Sequence, residues 1–116
     1  MPIAVATTRQ ALANTYGTLG NYIGLATGDP GTTATPTAEA TGGSPAYARK
    51  PTTWTSGSGG SLGGSAVTID VPAGTYTHIL LASAVSGNNM IDKADITDVV
   101  MSNQGQVVVT PSYTQT

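Results

Sequence analysis

The sequence predicts an all-β fold. The expected form is an antiparallel β-sandwich, jelly-roll or Ig-like, of about six to eight short strands with at most one short helix near the N-terminus. Three observations carry this. Turn signals built from Gly, Pro and Asn recur about every 8 to 12 residues along most of the chain. The segments between them alternate apolar and polar side chains, most cleanly in AVTIDV, residues 66–71. Threonine, β-branched and suited to a pleated half-exposed surface, supplies much of the polar cover. The length of 116 residues fits a single domain, 1–116.

The elements follow in order. Residues 1–8 read as extended, so that 1–20 forms an N-terminal arm with a short helix. Thr7 or Thr8 is the expected N-cap of that helix, RQALANTY (9–16), with Leu12 and Tyr16 on one face and Gly17 and Gly20 as its stop. NYIGLATG (21–28) predicts a strand with Ile23 and Leu25 on one face. GDPG (28–31) is a turn, and a Thr/Ala/Pro loop follows to Gly43. Within TGGSPAYARKPTTW (41–54), Tyr47 and Arg49 share one face of an extended segment, and Ala46 and Ala48 share the other. Pro51 lacks an N–H and so marks an edge strand or a bulge, with Trp54 resuming the run beyond it.

SGSGGSLGGS (56–65) reads as a flexible Gly/Ser loop. In AVTIDV, Val67, Ile69 and Val71 face inward while Thr68 and Asp70 face outward. PAG (72–74) turns the chain. TYTHILLASAV (75–85) is apolar on both faces, Leu80 and Ala82 on one and Ile79 and Leu81 on the other, and so predicts a central strand. SGNN (86–89) turns again. MIDKADITDVVM (90–101) reads as a short strand, a turn and another strand, and NQG (103–105) leads into the last strand, QVVVTPSY (106–113).

Composition narrows the function. Charged side chains make up 9% of the chain, against about 25% in a typical soluble domain. The formal net charge is −2, and four Lys and Arg in total are a poor supply for neutralising nucleic-acid phosphates or for a polybasic membrane patch. The absence of cysteine excludes disulfides, thiolate metal sites and thiol nucleophiles together. MPIAVATTRQALA shows no signal-peptide pattern, and the apolar stretch Ile79–Val85 is far shorter than the roughly 18 residues that span a bilayer. The chain is therefore expected to be soluble and made in a cytoplasm without cleavage. So little charge gives little colloidal repulsion, which suits a dense assembly better than free diffusion.

Each candidate for chemistry has a plainer reading beside it. Gly59, Ser61 and Gly63 match the G-x-S-x-G nucleophile elbow, but that motif needs a strand before it and a helix after it, and here it lies inside a Gly/Ser run. His78, the only histidine, falls among core residues of a predicted strand. Asp92, Asp95 and Asp98 recur every three residues without the spacing of a calcium loop, which favours a solvated turn over a bound cation. No catalytic, metal or cofactor residue is assigned. Arg49, beside Tyr47 and Trp54, stabilises the fold by stacking, contributes to a docking surface, or does both, since Trp, Tyr and Arg are enriched at interface hot spots. Tyr47, Arg49, Trp54 and Tyr113 are the expected interface residues.

The segments IGLATGDPG, TGGSPAYARKPTTW, AVTIDVPAGTYTHILLASAVSG and NQGQVVVTPSY resemble a family of small virion proteins of tailed bacteriophages, particularly those infecting actinobacteria, whose members are labelled head-decoration or tail-fibre-like. The resemblance runs over roughly residues 20–113, with GGSPAYARKPTTW and VPAGT-x-TH-x-x-L-x-SA-x-SG its most specific pieces. It implies a β-sandwich module of the virion without enzyme activity or cofactor. TYTHILLASAVSGNNMIDKADI departs from the commoner pattern, with Leu81 and DKAD where an aromatic and a more Gly-rich segment are usual.

The reading that follows is a capsid decoration protein that docks on the major capsid protein of the assembled shell. It is expected to be a homo-oligomer such as a trimer, and to bind neither nucleic acid nor membrane. PIAVATT and QVVVTPSYTQT would add strands to a neighbour's sheet edge. The alternative is a tail fibre or minor tail protein that contacts other tail proteins or a host-surface glycan through the loops 29–44 and 56–65, which hold no aromatic residue. A hydrolase built on Ser61 and His78 is the remaining reading.

Overall fold

A computed structural model describes all residues, Met1–Thr116. It contains one helix, α1 (Ala6–Leu19), and nine strands: β1 (Tyr22–Ala26), β2 (Lys50–Pro51), β3 (Trp54–Ser56), β4 (Ser61–Gly64), β5 (Val67–Val71), β6 (Gly74–Ala82), β7 (Met90–Met101), β8 (Gly105–Val109) and β9 (Ser112–Thr114). Every strand pair is antiparallel. The strands form a four-stranded sheet in the order β2-β1-β6-β7, a three-stranded sheet β3-β4-β9 and a two-stranded sheet β5-β8. This is the all-β sandwich that the alternation predicts.

The core lies between the four-stranded and two-stranded sheets. Ile23 and Leu25 of β1, Tyr76 and Leu81 of β6, Val67, Ile69 and Val71 of β5, and Val107 of β8 are buried in one cluster. Cross-strand pairs set their faces. Ile23 lies opposite Leu81, and Ile69 opposite Val107, so like faces meet. Tyr76 and Leu81 are five residues apart, and strict alternation would send them to opposite faces. A register shift between Tyr76 and His78 absorbs the mismatch and turns both inward. Leu80, Ala82 and Met90 form a smaller cluster with Tyr22. The central strand is thus apolar on both faces, as read from residues 75–85.

Pro51 sits at the edge of the four-stranded sheet, where its missing N–H leaves no ladder bond unmade. Beyond this short strand, the 27–49 loop folds back along β1. Thr27 N–H donates to Ala38 O, Ala40 N–H to Leu25 O, and Leu25 N–H to the Tyr47 hydroxyl. The open edge of β1 is satisfied by a loop and a side chain rather than by a full strand.

Several local expectations are corrected. The 56–65 segment is not a loop throughout, because Ser61–Gly64 is the central strand of the three-stranded sheet and Leu62 is buried. Only the turn before it needs glycine conformations, at Gly59 and Gly60 with φ of 72° and 110°. The helix starts earlier than Arg9, with Val5 rather than Thr7 or Thr8 at the N-cap, and it runs through Gly17 to Leu19. Gly17 does not stop it. It lets the helix approach the sheet, since a Cβ there would lie 2.9 Å from Leu62 and 3.5 Å from Trp54. Leu12 is exposed while Ala13 is the helix residue that is fully buried. Met90–Met101 is one strand with a bulge instead of two, and 106–113 is two strands in different sheets, parted at Thr110 and Pro111.

Candidate functional site

The four expected interface residues divide into two separate groups. Tyr47 and Arg49 join Glu39 in a half-buried polar cluster, and Trp54 and Tyr113 join Tyr16 in an aromatic cleft.

Arg49 is 2% exposed. Its guanidinium has five N–H donors in a fixed fork, and all five are used. Nε donates to Glu39 Oε2 at 2.8 Å and Nη2 to Glu39 Oε1 at 2.9 Å, the paired geometry that makes such contacts strong. The others reach Ala84 O at 3.1 Å, Asn89 Oδ1 at 2.7 Å and Gly87 O at 3.0 Å. Arg49 therefore ties the 39–49 loop to the turn after β6. Its donors are spent within the fold, on an ion pair and on loop acceptors rather than on the face of an aromatic ring. The Tyr47 hydroxyl donates to Glu39 Oε2 at 2.7 Å. Burial, together with the Glu39 carboxylate, pushes the Tyr47 phenol well above its ordinary value, and the hydrogen bonds that Arg49 donates to Glu39 hold the guanidinium above its own. Glu39 was missed by sequence reasoning, although it is the only acid between Asp29 and Asp70.

The cleft lies where α1 and the three-stranded sheet meet the four-stranded one. It encloses about 180 Å³ and is lined by Tyr16, Trp54, Tyr113, Leu81, Asp92 and Lys93, among others. Tyr16 stacks on Tyr113 with ring centroids 3.6 Å apart and meets Trp54 edge-on at 6.3 Å. The rings are held from behind. The Trp54 indole N–H donates to Gly20 O at 2.9 Å, and the Tyr16 hydroxyl donates to Asp92 Oδ2 at 2.8 Å. Burial, with Asp92 alongside, pushes the Tyr16 phenol far up. Lys93 pairs with Asp29, which the ammonium holds below the usual carboxylate range. Aromatic walls with one carboxylate and one ammonium suit non-covalent recognition of a flat or apolar group.

The remaining candidates lie elsewhere. The Ser61 hydroxyl exchanges hydrogen bonds with Ser58 in the β3–β4 turn, and a strand follows it where an elbow needs a helix. His78 Nδ1 is 2.8 Å from Thr77 Oγ1, on a different sheet from Ser61. Asp95 pairs across the ladder with His78, and no three of His, Asp and Glu come together in a metal-holding group. No helix is long and apolar enough to cross a membrane.

A family model described as Podophage GP4 fiber I protein gp80 matches residues 5–114. No curated protein and no solved structure matches the chain.

Proposed function

Because the chain belongs to the family of the Podophage GP4 fiber I protein gp80 and is thereby a bacteriophage virion structural protein, we propose that it is a passive subunit of a virion fibre. The family match over 5–114 carries this reading. The exposed edges of the sheets support it. β7 is an edge strand of twelve residues, and Val100 and Val108 are exposed apolar side chains on β7 and β8. Such edges associate by strand pairing and apolar burial with further copies or with other virion proteins. On this reading the protein performs no covalent chemistry and holds no cofactor. The actinobacterial host is proposed on the resemblance of the quoted segments alone.

Capsid decoration is the second reading, favoured by the 9% charge content that suits a crowded lattice. Immunogold labelling of intact virions separates the two. Gold confined to discrete projections is the expected outcome. Gold spread evenly over the shell would overturn the fibre reading and leave decoration.

A further inference from the structure

The chain has five tyrosines, one tryptophan and no phenylalanine, and the tryptophan and two of the tyrosines line a single cleft, as Trp54, Tyr16 and Tyr113. Their polar atoms are already committed. The Trp54 indole N–H donates to Gly20 O, the Tyr113 hydroxyl to Gln115 Oε1 and the Tyr16 hydroxyl to Asp92. The rings therefore offer the cleft their carbon surface, and buried Ile23 and Leu81 continue it. Other lining groups are polar. Asp92 is exposed. A carboxylate has about four lone-pair sites, and Asp92 uses one on the Tyr16 hydroxyl and one on the Lys93 N–H, which leaves about two open. β9 is the outer strand of its sheet, and its Ser112 and Thr114 hydroxyls line the cleft without a partner in the fold. The Lys93 ammonium is paired with Asp29, so no free cation stands here.

We propose that this cleft is a binding site for one neutral pyranose ring. It lies outside the loops 29–44 and 56–65. Its 180 Å³ is less than the roughly 300 Å³ at which sites for drug-sized ligands begin, and suits a single ring. A pyranose carries C–H bonds on its faces and hydroxyls around its edge. The slightly positive C–H face suits the negative face of an aromatic ring. Adjacent hydroxyls suit a carboxylate with two open acceptor sites, and side-chain hydroxyls that both donate and accept. A purely apolar occupant, such as a partner's leucine or phenyl ring, would cover Asp92, Ser112 and Thr114 without pairing them, at a cost in desolvation. An anionic sugar would meet the Asp92 charge with no free cation to offset it. The bonds that hold the rings and Asp92 are made before any ligand arrives, so little order is lost on binding. The assignment rests on the cleft alone and is the same for a fibre subunit and for a shell protein.

The purified full chain is titrated with the methyl pyranosides of glucose, galactose and mannose and followed by NMR. At least one of the three is expected to shift the Trp54 indole N–H and the amides of Ala94, Ser112 and Thr114. Ala94 is exposed and lines the cleft, so Ala94→Leu fills the space from a position the core does not use, and is expected to abolish the shifts with the fold intact. Ser112→Ala and Asp92→Asn, also at exposed positions, are expected to weaken binding roughly fivefold and tenfold. N-acetyltyrosinamide, which stands for a partner's aromatic side chain, is expected to shift nothing. A sugar that binds is then compared with its free reducing form. Equal affinity admits the linked units of a polysaccharide, and binding of the reducing form alone restricts the ligand to a soluble sugar. Silence toward all the sugars, in both forms, overturns the site. So do shifts that persist in Ala94→Leu, because binding then lies elsewhere, and so does a preference for N-acetyltyrosinamide. Each of these results leaves the fibre reading standing, because that reading fails only on the distribution of gold over the virion.

Discussion

Arg49 brings five donors into a site that water barely reaches, and every one of them is met. A buried ion pair adds little over an apolar pair, but breaking it strands a charge. Arg49→Ala leaves Glu39 and Tyr47 facing one another without their cation. The expected loss is about 3–5 kcal/mol by urea denaturation. Arg49→Lys, with three donors on a flexible stem, is expected to recover only part of it. The phenols of Tyr16 and Tyr47 add a pH dependence. Both are raised in the folded state by burial and a neighbouring carboxylate. The folded chain thus keeps protons that the unfolded chain gives up above the ordinary phenol value of about 10. Their contribution is complete below that pH and is lost as pH climbs past it. Urea midpoints that begin to fall near pH 10, and fall less in Tyr16→Phe, are the expected result.

At the scale of elements, β4 and α1 lean on each other. Leu62 is buried under the helix, with Gly17 and Trp54 beside it. If 61–64 were a loop, Leu62→Ala would be nearly silent. As the centre of a sheet it is expected to cost about 2–5 kcal/mol, measured by denaturation. The helix also begins poorly. Val5 makes no side-chain cap bond, and the first turn holds no acid. Val5→Asp supplies an acceptor for the free N–H groups and a charge that suits the helix dipole. It is expected to raise the stability of the folded chain by about 1 kcal/mol. Urea denaturation of the single variant beside the parent chain measures the gain.

The whole molecule is long for its size. Its extents are 46 × 25 × 23 Å, and its radius of gyration is 14.6 Å, where a compact chain of this length has about 13 Å. Two ion pairs serve the whole chain, and one of them is buried. Little in stability is left for salt to screen. Between about 0.1 M and 1 M salt the Debye length drops from about 10 Å to 3 Å. The urea midpoint is therefore expected to stay nearly constant over that span. A steep fall of the midpoint with salt would mean that charge, and not apolar burial, holds the fold.

The sequence by itself determined the β class, the shared face of Ile23 and Leu25, the inward faces of Val67, Ile69 and Val71, the central place of the strand over 75–82 and the edge at Pro51. Each of these rests on a period of two or on a missing N–H, signals that lie within a few adjacent residues. Only the tertiary structure decided that a Gly/Ser run contains a central strand, because glycine looks the same locally whether it frees a turn or admits a neighbour. It also decided that Arg49 turns inward to Glu39, and that Trp54 and Tyr113 share a cleft with Tyr16. Those contacts join positions 10, 38 and 97 residues apart, and a side chain's partner at such distances depends on how the sheets stack rather than on what stands next to it in the chain.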